Sequence, residues 1–122
     1  MIKFQFNEIA RLADRGDNVA IATRRINHGA IIETQHGQIT THHTILEGHR
    51  FVLTPIKADE PLLSWGLPFG TAIRSLDPGE YVCNQKILTA LGQRDIDFEL
   101  PCEANFLDVM LEHQINEATF SP

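Results

Sequence analysis

The fold of this chain depends most on residues 47–72, which read EGHRFVLTPIKADEPLLSWGLPFGTA. Residues 51–53 form an apolar run of strand length, and Pro55 ends it because proline has no N–H to give to a sheet. The polar residues 57–61 then predict a turn, and a second apolar run begins at Leu62. This stretch therefore predicts two short strands joined by a turn.

The second apolar run contains two glycines and a proline within five residues. We expect Gly66, Pro68 and Gly70 to interrupt a regular strand at this point. At the start of the first run, Gly48 frees the backbone just before His49. We therefore expect the two strands and the glycine-rich segment to place the side chain of His49 beside a small site.

The rest of the chain repeats this alternation of short strands and turns. Strand-like runs cover residues 1–6, 19–26, 30–34, 39–45 and 81–83, with Gly, Asn and Asp between them. Strands that recur every eight to twelve residues predict a small all-β domain. We expect short helical segments after Asn7 and after Asn84 over residues 85–91, because asparagine is a good helix N-cap. A further one is expected within 105–113, where apolar residues are too frequent for a free linker. No internal repeat is evident.

The composition bounds the class of protein. The chain has 122 residues, of which 43% are hydrophobic and 21% charged, which is typical of one globular domain. No apolar run approaches the ~20 residues needed to cross a bilayer, and residues 1–6 lack a signal peptide's apolar stretch. Cys83 and Cys102 match no metal-binding spacing, so we expect reduced thiols and a cytoplasmic location.

The net charge of −6 is unevenly distributed along the chain. Residues 1–94 contain ten Lys or Arg and nine Asp or Glu, whereas residues 95–122 contain seven acids and no Lys or Arg. A nearly neutral body argues against a nucleic-acid binder, which would need a basic face. We therefore expect a domain over 1–92 and an acidic, extended C-terminal connector over 93–122, which is either a solvated linker or a segment that docks on a partner.

Three separate blocks carry a resemblance to a known family. Residues 17–20 (DNVA), 48–51 (GHRF) and 65–72 (WGLPFGTA) resemble, in order and separation, the N-terminal SAF domain of the altronate/galactarate dehydratase family. The resemblance covers about residues 16–84 and continues more loosely through residues 97–106, which look like a connector. It implies the β-clip fold of SAF domains.

The resemblance also implies a function. The chain would be a small subunit or N-terminal part of a sugar-acid dehydratase, a hydro-lyase of carbohydrate metabolism that a large catalytic region completes. It would bind a small sugar acid, would not be active alone, and could self-associate through its edge strands. The implied catalytic residue is His49, as a metal ligand or proton carrier, and the implied substrate-binding residues are Asn18, Arg50 and Gly66.

One feature of the family is missing. Many altronate dehydratases have a His-x-His pair after the closing Gly-Glu turn, whereas here Gly79-Glu80 is followed by Tyr81-Val82-Cys83-Asn84. A divalent metal of the iron or manganese type is implied for the complete enzyme, but this chain does not signal it. Cys83 could substitute as a ligand, although a buried lone thiol is usually part of the core.

Some of these residues could have structural roles instead of functional ones. His49 could be a hydrogen-bonded edge histidine, and we expect Trp65 and Phe69 in the core rather than stacked on a sugar. Two other functions are also consistent with the sequence. One is a non-catalytic sugar-acid-binding or assembly module, and the other is the small subunit of a related lyase of the sulfolactate sulfo-lyase type.

Overall fold

The computed structural model describes residues 3–35, 37–94, 96–101 and 103–108. This part of the chain contains nine short strands and two short helices. The strands are β1 (Lys3–Gln5), β2 (Ala10–Arg11), β3 (Val19–Ala22), β4 (Ile31–Thr34), β5 (Gly37–Thr40), β6 (Arg50–Val52), β7 (Pro61–Ser64), β8 (Leu67–Ala72) and β9 (Phe106–Asp108). The helices are α1 (Phe6–Ile9) and α2 (Gln85–Gly92). The prediction of a small all-β domain with short helical segments is confirmed.

The strands form three small sheets. Their orders are β1-β4-β5, β2-β3-β6 and β7-β8-β9. Strands β1 and β4 run parallel, and the other paired strands run antiparallel. None of the helices in the described ranges is long and apolar enough to span a membrane.

Four copies of one turn unit organise the described part of the chain. Each unit spans five residues and starts with an aliphatic residue that is at most 1% exposed; these are Ile26, Ile45, Ile56 and Leu76. The N–H of the fifth residue donates to the C=O of the second at 3.0–3.2 Å in every unit. The expectation of no internal repeat is wrong, because the units share one buried position and one backbone geometry rather than a run of identical residues.

The fourth residue of each unit has a positive φ. These residues are Gly29 (+82°), Gly48 (+85°), Asp59 (+70°) and Gly79 (+98°). A positive φ at the third position of a hydrogen-bonded four-residue turn defines type II geometry. The units also pair two by two, since Ile26 bridges to Ile45 and Ile56 bridges to Leu76 through reciprocal backbone hydrogen bonds.

Strand β6 lies between two hydrophobic cores. Phe51 packs in one core with Tyr81, and its neighbour Val52 packs in the other with Val82. Side chains alternate across a strand, so successive residues can serve opposite faces. The start of β6, where Arg50 lies, is therefore at the seam between the two cores.

The two helices begin at different kinds of residue. Asn84 caps α2, as predicted, because its Oδ1 accepts the N–H of Ile87 at 2.8 Å. The prediction that Asn7 caps the first helix is wrong. Gln5 is the N-cap of α1 and forms a capping box with Glu8, whose Oε1 accepts the N–H of Gln5 at 2.7 Å.

Strand β8 continues through two of the three residues that we expected to interrupt it, whereas Gly66 lies in the turn between β7 and β8 and interrupts the run as expected. Both Pro68 and Gly70 lie within β8, with an irregularity in its pairing to β7 between Leu62 and Leu63. Gly70 is required there by close packing, since a Cβ at this position would overlap the ring of Phe106. A bulge and a small residue thus keep the strand intact.

The β7–β8 hairpin places Trp65 in solvent. Trp65 and Gly66 both have positive φ, +59° and +73°, as a two-residue type I′ turn requires. The indole is 56% exposed, with the Arg11 guanidinium carbon 5.0 Å from its ring centre. The expectation that Trp65 belongs to the core is wrong, because the turn directs its side chain away from the sheet. Phe69 is half-buried and packs against the second core.

Strand β9 lies within residues 105–113, where a short helical segment was expected. Phe106, Leu107 and Asp108 pair with β8, and Phe106 is buried in the second core. These three residues are not helical, and residues 109–113 lie outside the described part of the chain, so the helical segment within 105–113 stays a prediction. Asn105 anchors the strand, because its side chain bonds the backbone of both Tyr81 and Cys83.

Candidate functional site

A cleft of about 340 Å³ opens at the seam between the two cores. It is bounded by the start of β6, the middle of β8, the first turn of α2 and the end of β9. Its lining residues are Gly48, His49, Arg50, Phe69, Val82, Asn84, Ile87, Phe106 and Asp108. Four elements that are distant in sequence thus place a histidine, an arginine, an amide and a carboxylate around one space.

His49 is half-buried and is held from behind by Tyr81. The Tyr81 Oη lies 2.7 Å from Nδ1 of His49, and the two rings meet edge to face with centroids 5.7 Å apart. Tyr81 itself is 1% exposed, so the phenol is part of the core. Within the described residues Nε2 of His49 has no hydrogen-bond partner, and His49 lines the cleft.

The turn repeat singles out His49. In two units the fifth residue is a glutamate, and the carboxylates of Glu60 and Glu80 accept the N–H of Lys57 and Asp77. His49 occupies the same position in its own unit but is bonded to Tyr81 instead. The side chain of His49 therefore does not bond its own turn, as the two glutamates at the same position do, and contacts Tyr81 instead.

Arg50 brings a second donor to the cleft. Its Nε donates to Oγ of Ser64 at 2.9 Å, and its guanidinium carbon lies 5.5 Å from the ring centre of Phe69. These contacts fix the plane of the guanidinium group. In the described part of the chain its two Nη atoms have no hydrogen-bond partner, so they can bind a carboxylate in the bidentate manner typical of arginine.

The far wall of the cleft is formed by a paired amide and carboxylate. Nδ2 of Asn84 donates to Oδ1 of Asp108 at 2.7 Å while Oδ1 of Asn84 caps α2. The cap was predicted from sequence, but its place in the cleft was not. Asp108 carried no sequence signal, and its position depends on the pairing of β9 with β8.

The cleft favours an uncharged imidazole and an uncharged phenol. Burial lowers the pKa of His49 below its ordinary value, and the nearby charges of Arg94 and Arg50 lower it further. Burial also raises the pKa of Tyr81 to about 12. Both shifts follow from removing a charged form from water, so the pair is neutral near pH 7.

The donor set around His49 does not fit a divalent metal ion. Its Nδ1 is bound to Tyr81, and Cys83 is fully buried with a pKa raised to about 11, so its thiol does not supply a thiolate. Among the described residues no three His, Cys, Asp or Glu side chains group in a way that could hold a metal. The suggestion that Cys83 substitutes as a ligand therefore finds no support in this geometry.

The structure brings two of the four expected site residues together. His49 and Arg50 line the cleft, whereas Asn18 and Gly66 do not. The Asn18 side chain bonds the backbone of β7 at Pro61 and Leu63. Gly66 donates its N–H to Asp17 at 2.8 Å. These contacts join two of the blocks noted in the sequence, and the substrate-binding roles of Asn18 and Gly66 stay predictions.

Acidification below about pH 6.5 is expected to destabilise the protein. Burial lowers the pKa of His43 as well as that of His49 below the ordinary value of 6.5, so the folded state binds fewer protons than the unfolded state. Stability is then full above about 6.5 and is lost as the pH falls toward the folded pKa. Urea unfolding at several pH values checks this, and His49→Gln should flatten the dependence. A stability that rises on acidification would contradict it.

The fold and cleft define a class: a small β module that presents a histidine and an arginine at the seam between two cores. Residues 10–90 match the family model described as the altronate/galactarate dehydratase SAF domain. The match covers more than half of the chain, and the chain belongs to this family. The resemblance seen in the sequence is therefore confirmed.

One curated relative gives the scale of the comparison. The chain is 28% identical over 106 residues to the altronate dehydratase of Escherichia coli (strain K12). The matched region is 82% of this chain but 21% of that protein. The chain thus spans about a fifth of the length of the relative.

Proposed function

We propose that this chain is the SAF-domain component of a sugar-acid dehydratase of the altronate/galactarate type, and that it works in the cytoplasm. The observation that carries the proposal is the cleft in which His49 and Arg50 converge, in a domain of this family. An arginine fork suits the carboxylate that every sugar acid carries. Asp108 and Asn84 supply the polar partners that a polyhydroxy chain needs.

The reaction needs more groups than this cleft supplies. Dehydration removes the proton α to the carboxylate, forms a carbon–carbon double bond as the β-hydroxyl leaves as water, and ends when the enol becomes a 2-oxo acid. It therefore needs a base, an acid for the leaving hydroxyl and stabilisation of the enediolate. The described residues offer donors for the carboxylate and enediolate, so a large catalytic region would supply the base and the acid.

A reconstitution assay tests the proposal. We would measure 2-oxo acid formation from altronate and galactarate with the chain alone, with a large dehydratase region added, and with His49→Ala in the same mixture. The expected result is activity only in the mixture, with a loss of about 100-fold in His49→Ala, as for removal of one oxyanion donor. Lys57→Ala, an exposed change outside the cleft, serves as the matched control.

A second candidate is an assembly module without a catalytic role. It is favoured by large apolar side chains that are exposed: Trp65, Leu67, Ile73 and Leu107. Leu107 lies on β9, an edge strand of its sheet, and edge strands are ready sites for association. Activity that needs the chain but is unaffected by His49→Ala would favour this candidate. Release of sulfite from a sulfonated hydroxy acid would instead favour a related sulfo-lyase.

A further inference from the structure

Tyr81 directly follows the last residue of the fourth turn unit, Glu80. Its phenol is buried in the first core, and its oxygen is 2.7 Å from Nδ1 of His49. Asn105 holds this part of the backbone in place, since its Nδ2 donates to the C=O of Tyr81. The ring of Tyr81 is therefore fixed relative to the imidazole.

The direction of the Tyr81–His49 hydrogen bond follows from the need to satisfy a buried hydroxyl. A phenol has one proton to donate, and a buried donor without an acceptor is costly. Among the described residues Nδ1 of His49 is the acceptor within reach of Tyr81 Oη. If Nδ1 instead carried the proton, both groups would present hydrogens to each other or the phenol proton would lack a partner. Tyr81 therefore donates, and Nδ1 accepts.

A neutral imidazole that accepts at Nδ1 carries its proton on Nε2. Nε2 is the ring nitrogen that Tyr81 leaves unbound, and His49 and Arg50 both line the cleft. The cleft then offers two kinds of N–H donor to the same space. Such an arrangement suits an oxygen atom that gains negative charge, as the carboxylate of a hydroxy acid does when its α-proton is removed.

We infer that Tyr81 is a positioning residue that fixes the proton of His49 on Nε2, so that His49 acts on the substrate as a neutral hydrogen-bond donor. This inference rests on the proposed function for the identity of the substrate, a hydroxy acid. It separates His49 from the two roles that the resemblance implies. An imidazole in this state has no lone pair at Nε2 with which to bind a metal ion or to take a proton.

Nitrogen NMR on the 122-residue chain tests the position of the proton directly. In ¹⁵N-labelled protein at a pH above 6.5, two-bond correlations distinguish the two neutral tautomers, and His49→Gln identifies the His49 signals. We expect His49 to show the Nε2–H pattern alone, whereas the exposed His28 and His42 show averaged tautomers. An Nδ1–H pattern or an averaged pattern at His49 would overturn the inference.

Tyr81→Phe tests the positioning role. It removes one oxygen atom from a buried ring, and we expect the His49 signals to shift toward the averaged pattern of His28 and His42. A pattern unchanged from that of the original protein would show that Tyr81 does not set the tautomer. Circular dichroism checks that the variant folds, and if it does not, the spectrum of the unaltered chain decides by itself.

Three substitutions of His49 test the donor role in the reconstituted enzyme. A Gln side chain can place an N–H near the position of Nε2, whereas an Asn side chain reaches only the position of Nδ1. We expect His49→Asn and His49→Ala to lower kcat/KM about 100-fold, as for loss of an oxyanion donor, and His49→Gln to recover about tenfold. A base or a metal ligand would leave Gln as inactive as Ala, and that outcome would overturn the donor role.

The NMR and activity experiments fail independently. If no sugar acid is dehydrated by any mixture that contains the unaltered chain, the proposed function is wrong. The tautomer of His49 and its dependence on Tyr81 are still measured in that case, because they need neither substrate nor partner.

Discussion

Gly79→Ala is expected to lower the free energy of unfolding by about 3 kcal/mol or more. Two costs add at this position. The φ of +98° lies in a region that residues with a Cβ rarely adopt, and the added Cβ would overlap the carbonyl oxygen of Thr40. The neighbour is backbone rather than a flexible side chain, so it cannot move aside without disturbing the end of β5. Urea unfolding followed by circular dichroism measures the loss.

Gly29→Ala is the matched control for this substitution. Gly29 holds the same place in its own turn unit and has a similar φ of +82°, but a Cβ there would meet nothing within 4 Å. It should therefore cost only the backbone strain, about 1 kcal/mol. Equal losses in the two variants would show that the contact with Thr40 carries no weight.

Features of the fold that depend on local chemistry could be predicted from the sequence. The all-β class follows from short runs separated by turn residues, and Asn84 caps α2 because its side chain reaches an N–H three residues away. Turns were predicted at several of these places, but their repetition was missed because the feature that the four units share is a positive φ, and one of them uses Asp59 where the others use glycine. A shared positive φ is therefore hard to recognise from the amino-acid sequence.

Features that depend on distant partners could not be predicted. The apolar pattern of residues 106–108 is compatible with a helix or a strand. They form a strand because they pair with the edge of β8. Trp65 was expected in the core because of its size. Its exposure follows instead from a hairpin turn fixed by Asp17, which is 48 residues away in the sequence.

In the candidate site, too, the residues that depend on local sequence could be predicted and those that depend on distant partners could not. His49 and Arg50 could be found together because they are adjacent in sequence and lie in a block that resembles the family. Tyr81 was noted only as a departure from the family, yet it is the residue that holds the imidazole. Asp108 completes the cleft through strand pairing, and nothing in its sequence neighbourhood pointed to it.

Asp17→Ala is expected to lower the free energy of unfolding by about 3 kcal/mol, because hydrogen bonds to a charged group are worth more than neutral ones. The Asp17 carboxylate is 5% exposed and accepts the N–H groups of Asp14, Trp65 and Gly66 at 2.8–3.0 Å. Two of these donors belong to residues with positive φ, so the carboxylate holds the hairpin turn in a conformation that Trp65 would otherwise avoid.

The loss should begin at the hairpin and can be followed there. Trp65 is the one tryptophan of the chain, and its fluorescence reports on the turn while circular dichroism reports on the whole domain. In Asp17→Ala we expect the fluorescence transition to occur at lower urea than the circular dichroism transition, because local unfolding precedes global unfolding where few contacts hold a segment. Coincident transitions at an unchanged midpoint would contradict this.

Asp14→Ala provides the comparison. Asp14 is exposed, and its side chain accepts one N–H, that of Gly16, at 3.0 Å. Its removal should cost about 0.5 kcal/mol, as for a solvent-exposed hydrogen bond. If Asp14→Ala lowered the free energy of unfolding as much as Asp17→Ala, the negative charge near the hairpin turn would matter rather than the three hydrogen bonds to Asp17. A small loss would assign the stability of the hairpin, and the joining of the two sequence blocks, to the buried carboxylate.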